Sequence, residues 1–359
     1  MKAPAVVGVL IATLVIAGLP GLAGLTPHRA NEPWGVTTYE FAYAADIGNF
    51  GTAAATNVTA QVALLRDFEP FQAVDEMAIL TPGASIEEDP LGNRFAVYRI
   101  GELGPGASLA LAFRARVQIF GIDFSVDAGS FARTIPPEVQ FVSPETFVES
   151  TDTRIQNVSR SIRVNASGLA NYAYAAYTWT TRHLTYETQP QERGAVWALR
   201  TGRGMCYEYA DLYMSLLRAE GVASKRVNGW GERFVAGEVH RAEEIAHAWV
   251  LLETSDHGWL PVDPTFGDVS LYENFLKIND MHVILTEGVN RHLYRATYDR
   301  TTGVNVQVDY TVQVLSMQVE NLSPARLLVL AGFVSVPVLL TAAIVWQVVR
   351  ERRRRVFED

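Results

Sequence analysis

The chain has 359 residues, a formal net charge of −9 and 48% apolar residues. That length allows two ordinary domains with a sizeable core, and the acidic balance argues against nucleic acid as a partner. Cys206 is the single cysteine, so no intramolecular disulfide can form; in a secreted setting a lone thiol is either buried and inert or reactive.

Taken in chain order, Lys2 precedes an apolar, uncharged run from Ala3 to Leu25. The run is long enough to span a bilayer, although Pro4, Pro20 and several glycines interrupt it. A basic start and small residues near Gly18 to Gly24 also suit a cleaved secretory signal. Residues 1–26 are therefore expected to be a membrane anchor or a signal peptide.

Residues 35–145 read as β structure. Thr37 to Tyr43, Val58 to Leu64, Phe95 to Ile100 and Leu109 to Ile119 are rich in β-forming residues, and turn signals such as Pro82-Gly83 and Asp89-Pro-Leu-Gly92 separate them. In the last run Leu109, Leu111, Phe113, Ala115, Val117 and Ile119 share one face. Short strands at regular spacing predict a β-sandwich-like domain. Pro136-Pro137 and the polar stretch Glu149 to Arg163 read as a linker.

The texture then changes. Leu169 to Leu184 and Gly194 to Arg200 are helical in composition. The strongest helix runs from Cys206 to Glu220, with Tyr209, Leu212, Tyr213, Leu216 and Leu217 as its apolar stripe and Gly221 where a helix C-terminus favours glycine. Strand-like runs follow at Lys225 to Trp230, His247 to Glu253 and Gly258 to Val262. Val304 to Val314 alternates strictly. Helices followed by an antiparallel sheet make an α+β pattern over 150–320.

At the end, Leu327 to Val349 is uncharged and is followed by Arg350, Arg352, Arg353, Arg354 and Arg355. Length and basic flank predict a transmembrane helix over 324–349 and a basic cytoplasmic tail over 350–359. The chain between the two apolar segments then lies outside the cytoplasm. It carries 24 basic and 36 acidic residues. Four Asn-X-Ser/Thr sequons, at Asn57, Asn157, Asn165 and Asn321, fit that side, though such short motifs arise often by chance.

The chemistry centres on Cys206. It follows Gly202-Arg-Gly204-Met205 and opens the best helix, where unpaired backbone N–H groups and the macrodipole favour a thiolate. Those N–H groups can also hold an oxyanion. Taken alone, a free cysteine is more often a buried structural residue. His247 opens the strand His247-Ala-Trp-Val-Leu-Leu252, and a nucleophilic thiol needs a base held by a third group. Asp263 lies one hairpin later, in Gly258-Trp-Leu-Pro-Val-Asp-Pro-Thr265, where it can fix the tautomer and orientation of His247.

Three blocks resemble the transglutaminase-like superfamily, whose core is a papain-like α+β fold: Gly204-Met-Cys-Tyr-Glu-Tyr-Ala210 with the helix after it, His247-Ala-Trp249, and Gly258-Trp259 with Asp263-Pro-Thr265. The resemblance covers residues 165 to 270. It implies a catalytic triad of Cys206, His247 and Asp263, a catalytic domain over 150–320, and acyl transfer on a peptide or protein amide with no cofactor and no metal. Hydrolysis is favoured over cross-linking. The resemblance also implies the backbone N–H of Cys206 as an oxyanion donor. It leaves the side-chain donor unplaced, with Trp197 and Arg200 nearby.

Two alternatives compete. One is a non-catalytic membrane-anchored scaffold, which requires His247 out of hydrogen-bonding reach of Cys206. The other is a metal site at His240, Glu243, Glu244 and His247, whose spacing of seven does not match the His-Glu-x-x-His pattern. His28, His183, His257, His282 and His292 read as ordinary, and Tyr207, Glu208 and Arg226 as supports of the helix or of the edge of the site.

Overall fold

The computed structural model describes residues 33–124, 139–231, 234–254, 257–269 and 274–321. Both apolar terminal segments, the basic tail and Pro136-Pro137 lie outside these residues. Among the described residues no helix is long and apolar enough to cross a membrane.

The first six strands are β1 Pro33–Asn49, β2 Ala55–Ala63, β3 Gln72–Ile79, β4 Ser85–Glu88, β5 Arg94–Leu103 and β6 Ser108–Asp123. Four of them contain the runs expected from sequence. In β6 the alternation is realised: Leu111, Phe113, Ala115, Val117 and Ile119 are buried while Arg114 and Arg116 are exposed. Period-two alternation places these side chains on one face of the sheet.

The helical part follows: α1 Val139–Val142, α2 Thr153–Val164, α3 Gly168–His183, α4 Ala195–Thr201 and α5 Cys206–Ala219. The linker expected over Glu149 to Arg163 is instead largely helix α2. Asp152 caps it by accepting from the Arg154 N–H, and Ile155, Ser159 and Ile162 face inward at helical spacing. Only two of those three are apolar, so the stripe was too sparse to read. The two-residue strands β7 Thr185–Tyr186 and β8 Arg203–Gly204 pair in parallel and brace the chain just before Cys206.

Strands β9 Ser224–Gly231, β10 Val239–Arg241, β11 Ala246–Thr254 and β12 Gly258–Val262 come next, with the short helix α6 Ala242–Ile245 between β10 and β11. Helix α7 Phe266–Val269 and strands β13 Lys277–Ile278, β14 His282–Glu287, β15 Tyr294–Thr297 and β16 Val306–Asn321 complete the described chain.

An antiparallel sheet in the order β12-β11-β9-β14 packs against α5, and its core takes in Tyr209, Leu212, Leu216, Val227, Trp249 and Leu251. The other two sheets, β10-β16-β1-β6-β13 with β3 on β6, and β15-β2-β5-β4, share a second core around Phe41, Tyr43, Phe113, Trp230 and Tyr310. Strand β16 was expected within the catalytic unit. It runs antiparallel to β1 along almost its whole length, so strands from both ends of the described chain sit side by side in one sheet.

Candidate active site

Helix α5 starts abruptly at Cys206, and the reason is local. Glu208, in its first turn, accepts from the Met205 N–H at 3.0 Å through one oxygen and from the Arg193 N–H at 2.7 Å through the other. A carboxylate there satisfies an orphan donor and complements the helix dipole. Gly204 makes this possible: a Cβ on it would stand 2.4 Å from the Glu208 Cβ. At the far end Gly221 takes the left-handed conformation, with φ of 69°, that closes the helix.

His247 is carried by β11, opposite Gly229 of β9. Its ring fills space that only glycine leaves open, because a Cβ on Gly231 would lie 2.6 Å from the ring's Cδ2. Phe266 stacks on the imidazole at 4.4 Å between centroids. Asp263 follows the last residue of β12, where the chain turns into α7. One carboxylate oxygen, Oδ1, accepts the backbone N–H groups of Thr265 at 2.9 Å and Phe266 at 3.2 Å. The other, Oδ2, is 2.7 Å from Nε2 of His247. Cys206 lies near enough to His247 to favour its charged form, and with Nε2 committed to Asp263 the other ring nitrogen is left for it.

The three residues singled out from sequence therefore come together, and all three are buried. Burial works against a charge on His247. The Asp263 carboxylate, its hydrogen bond and the Cys206 contact outweigh it, raising the His247 pKa to about 10. Burial likewise opposes the charge on Asp263, but His247 and His282 together hold that carboxyl well below the usual range.

His282 was passed over as ordinary. It stands at the start of β14, opposite Gly231, with Nε2 3.1 Å from Asp263 Oδ2 and Nδ1 2.8 Å from Asn279 Oδ1. No periodic pattern marks it, since every residue from His282 to Glu287 is buried.

The expected supports behave as such. Arg226 is fully buried, pairs with Asp211 at 2.8 Å and Glu192 at 2.6 Å, and lies over the Tyr207 ring at 4.8 Å. His240, Glu243, Glu244 and His247 do not gather: His240 lies against Phe234, Glu244 caps α6 through the Arg241 N–H, and His247 faces Asp263. Among the described residues the one group with metal-like proximity is His247, Asp263 and His282, whose ligand atoms lie within 4.8 Å of one another. Two ligands of a tetrahedral zinc stand roughly 3.3 Å apart given bonds of about 2.0 Å. The 2.7 Å separation of His247 and Asp263 is that of a hydrogen bond with no ion between them.

Comparison with known proteins agrees on the fold. Residues 156–264 match the family described as the transglutaminase-like superfamily. A protein-glutamine gamma-glutamyltransferase of Pseudomonas aeruginosa is 41% identical over 71 residues, 18% of this chain and 10% of that protein. An uncharacterised protein of Mycobacterium leprae is 29% identical over 132 residues, 35% of this chain and 45% of that protein. The matched segments thus span less than half of either relative. The crystal structure of a candidate cysteine protease from Cytophaga hutchinsonii superposes with a TM-score of 0.54 at 15% identity, covering 80% of this chain and 92% of that one. Residues 156–264 thus carry a transglutaminase-like domain.

Proposed function

We propose that this protein is a membrane-tethered thiol enzyme that cleaves or transfers amide acyl groups outside the cytoplasm. Cys206 is the nucleophile, His247 its base and Asp263 the group that orients His247. The observation that carries this reading is the buried His247–Asp263 pair at 2.7 Å, set beside Cys206 at the first residue of a helix. A scaffold that merely kept the fold would have no need of that buried pair beside a cysteine.

In the reaction His247 takes the Cys206 proton and Sγ adds to an amide carbonyl. The carbonyl oxygen becomes an oxyanion facing the backbone N–H groups at the helix start. The C–N bond then breaks, the amine leaves with the proton from His247, and an acyl-enzyme remains. Water, activated by His247, releases the acid and restores the thiol; an amine in place of water gives the transferred amide. Hydrolysis of a peptide or protein amide is the favoured outcome. The glutamyl-transferring relative in Pseudomonas keeps the amine acceptor as the second one.

Membrane tethering rests on the apolar runs Ala3 to Leu25 and Leu327 to Val349 and on the basic tail. The strand register supports it. Val36 pairs with Asn321, so the start of β1 and the end of β16 lie side by side in one sheet.

The test is thiol labelling of the full-length chain. Iodoacetamide should modify Cys206 at neutral pH, and a thiol-directed acyl probe should form a stable adduct that mass spectrometry places on Cys206. Cys206→Ser should lose both while keeping its thermal transition. A folded wild-type chain that resists both reagents would overturn the assignment.

A further inference from the structure

Asp263 Oδ2 has two imidazoles on it, and only one belongs to the triad. The hydrogen positions on the second follow from its partners. Asn279 Oδ1 accepts the backbone N–H of Met281 at 3.0 Å, so that amide atom is an oxygen and cannot donate. Nδ1 of His282, 2.8 Å from the same oxygen, must therefore carry a hydrogen. Nε2, 3.1 Å from Asp263 Oδ2, also faces an acceptor. That contact is attractive only when Nε2 carries a hydrogen too, which makes the ring an imidazolium. When the ring is neutral, its Nε2 lone pair faces the carboxylate.

We propose that His282 is a positioning residue of the active site: it shares Asp263 Oδ2 with His247, and its Nε2 proton sets how firmly Asp263 holds His247. With the proton present, His282 takes part of the carboxylate's charge and adds a positive charge beside His247, the two rings lying 5.7 Å apart. His247 then holds its own proton less strongly and is the weaker base towards Cys206. With the proton gone, Asp263 serves His247 alone. The inference rests on the acyl-transfer reading for its effect on Cys206 but not for the sharing itself.

The surroundings limit what else can act on His282. The charged or titratable groups that bear on it are Asp263, His247 and Asp280. Trp249 and Phe266 close the remaining sides with ring faces and edges. Burial pushes the His282 pKa below the ordinary imidazole value, against the opposing pull of Asp263. The exchange between one and two partners on Asp263 therefore falls on the acid side of neutrality. The His282 turn is itself held by β1, where the Thr37 hydroxyl donates to the Asp280 carboxylate and the Tyr39 hydroxyl to the Asp280 carbonyl.

Two measurements on the full-length chain test this. The first is the rate of iodoacetamide alkylation of Cys206 between pH 5 and pH 8 in wild type, His282→Leu and His282→Gln, with Cys206→Ser as blank. One unit of coupling between two sites is a tenfold change in proton affinity. The ratio of variant to wild-type rate should accordingly rise about tenfold from pH 8 to pH 5 in both variants. A ratio that stays constant with pH, as a merely structural loss would give, overturns the proposal, and so does a ratio of one throughout. The second measurement is the ¹⁵N shifts of the histidine rings in the ¹⁵N-histidine-labelled chain. Nδ1 of His282 should be protonated at every pH and Nε2 should titrate, with Asp263→Asn moving that titration to lower pH. An unprotonated Nδ1, or a titration that Asp263→Asn leaves in place, overturns the sharing even if either variant fails to fold. If Cys206 proves inert while the nitrogen shifts behave as expected, the acyl-transfer reading falls and the shared carboxylate stands.

Discussion

Asp263 receives three donors in a buried site, two backbone N–H groups and the His247 imidazole, with a fourth when His282 is protonated, and that explains why its charge survives there. The same contacts make stability depend on pH. His247 has its pKa raised to about 10, so its contribution is complete below the ordinary value of 6.5 and is lost as pH rises through about 10. Asp263 is depressed, so its contribution is present above the ordinary value of 3.8 and is lost as pH falls through its lower folded value. His282 is also depressed and resists charging, so its contribution is complete above 6.5 and declines as pH falls below that. The urea midpoint should therefore peak between about pH 6 and 7. His247→Gln should flatten the alkaline side of the curve, and an unchanged alkaline slope would show that the pair is not linked to folding. Cys206, His247 and Asp263 were legible because each sits in a compact block with its own local reason. His282 was not, because a strand buried on both faces offers no alternation to set one residue apart.

At the level of elements, β14 closes one edge of the sheet that carries His247 and would otherwise expose a row of backbone groups. Two buried amide side chains cover it. Gln72 donates to the Ile284 carbonyl at 2.8 Å and accepts the Ile284 N–H at 2.9 Å. Asn93 does the same at Glu287, with both bonds at 2.8 Å. Each amide acts as one rung of a strand, and together they fasten the β layer to the sheet that carries His282. Replacing Asn93 by Ala leaves a buried N–H and C=O without these partners. It should cost about 1–3 kcal/mol in a denaturant titration. Gln72→Ala should behave alike, and the pair should show coupling of no more than about 0.5 kcal/mol if the two rungs are independent. Neither amide could be read from sequence, since a side chain that imitates a backbone is defined only by what lies opposite it. Helix α5 was readable almost to the residue, because its stripe and its closing glycine are local signals.

For the molecule as a whole, β16 is the decisive element. It completes the sheet on one side of β1 and contributes Tyr310, Val312 and Val314 to the second core. A chain ending at Arg300 should therefore lack the cooperative unfolding transition of the full chain. Circular dichroism during heating would show this, and a sharp transition in the truncated chain would mean that the first six strands fold without it. The alternating valines announced a strand but not its partner.

Local pattern therefore determined the helix that opens at Cys206, the order of Cys206, His247 and Asp263, the alternating strands and the apolar terminal segments. All of these are set by spacings within a few residues. Only the tertiary structure decided that β16 pairs with β1, that two side-chain amides close a sheet edge, and that a second histidine reaches Asp263. Those contacts join residues from 19 to 285 positions apart, and nothing in a single sequence records which distant groups will meet.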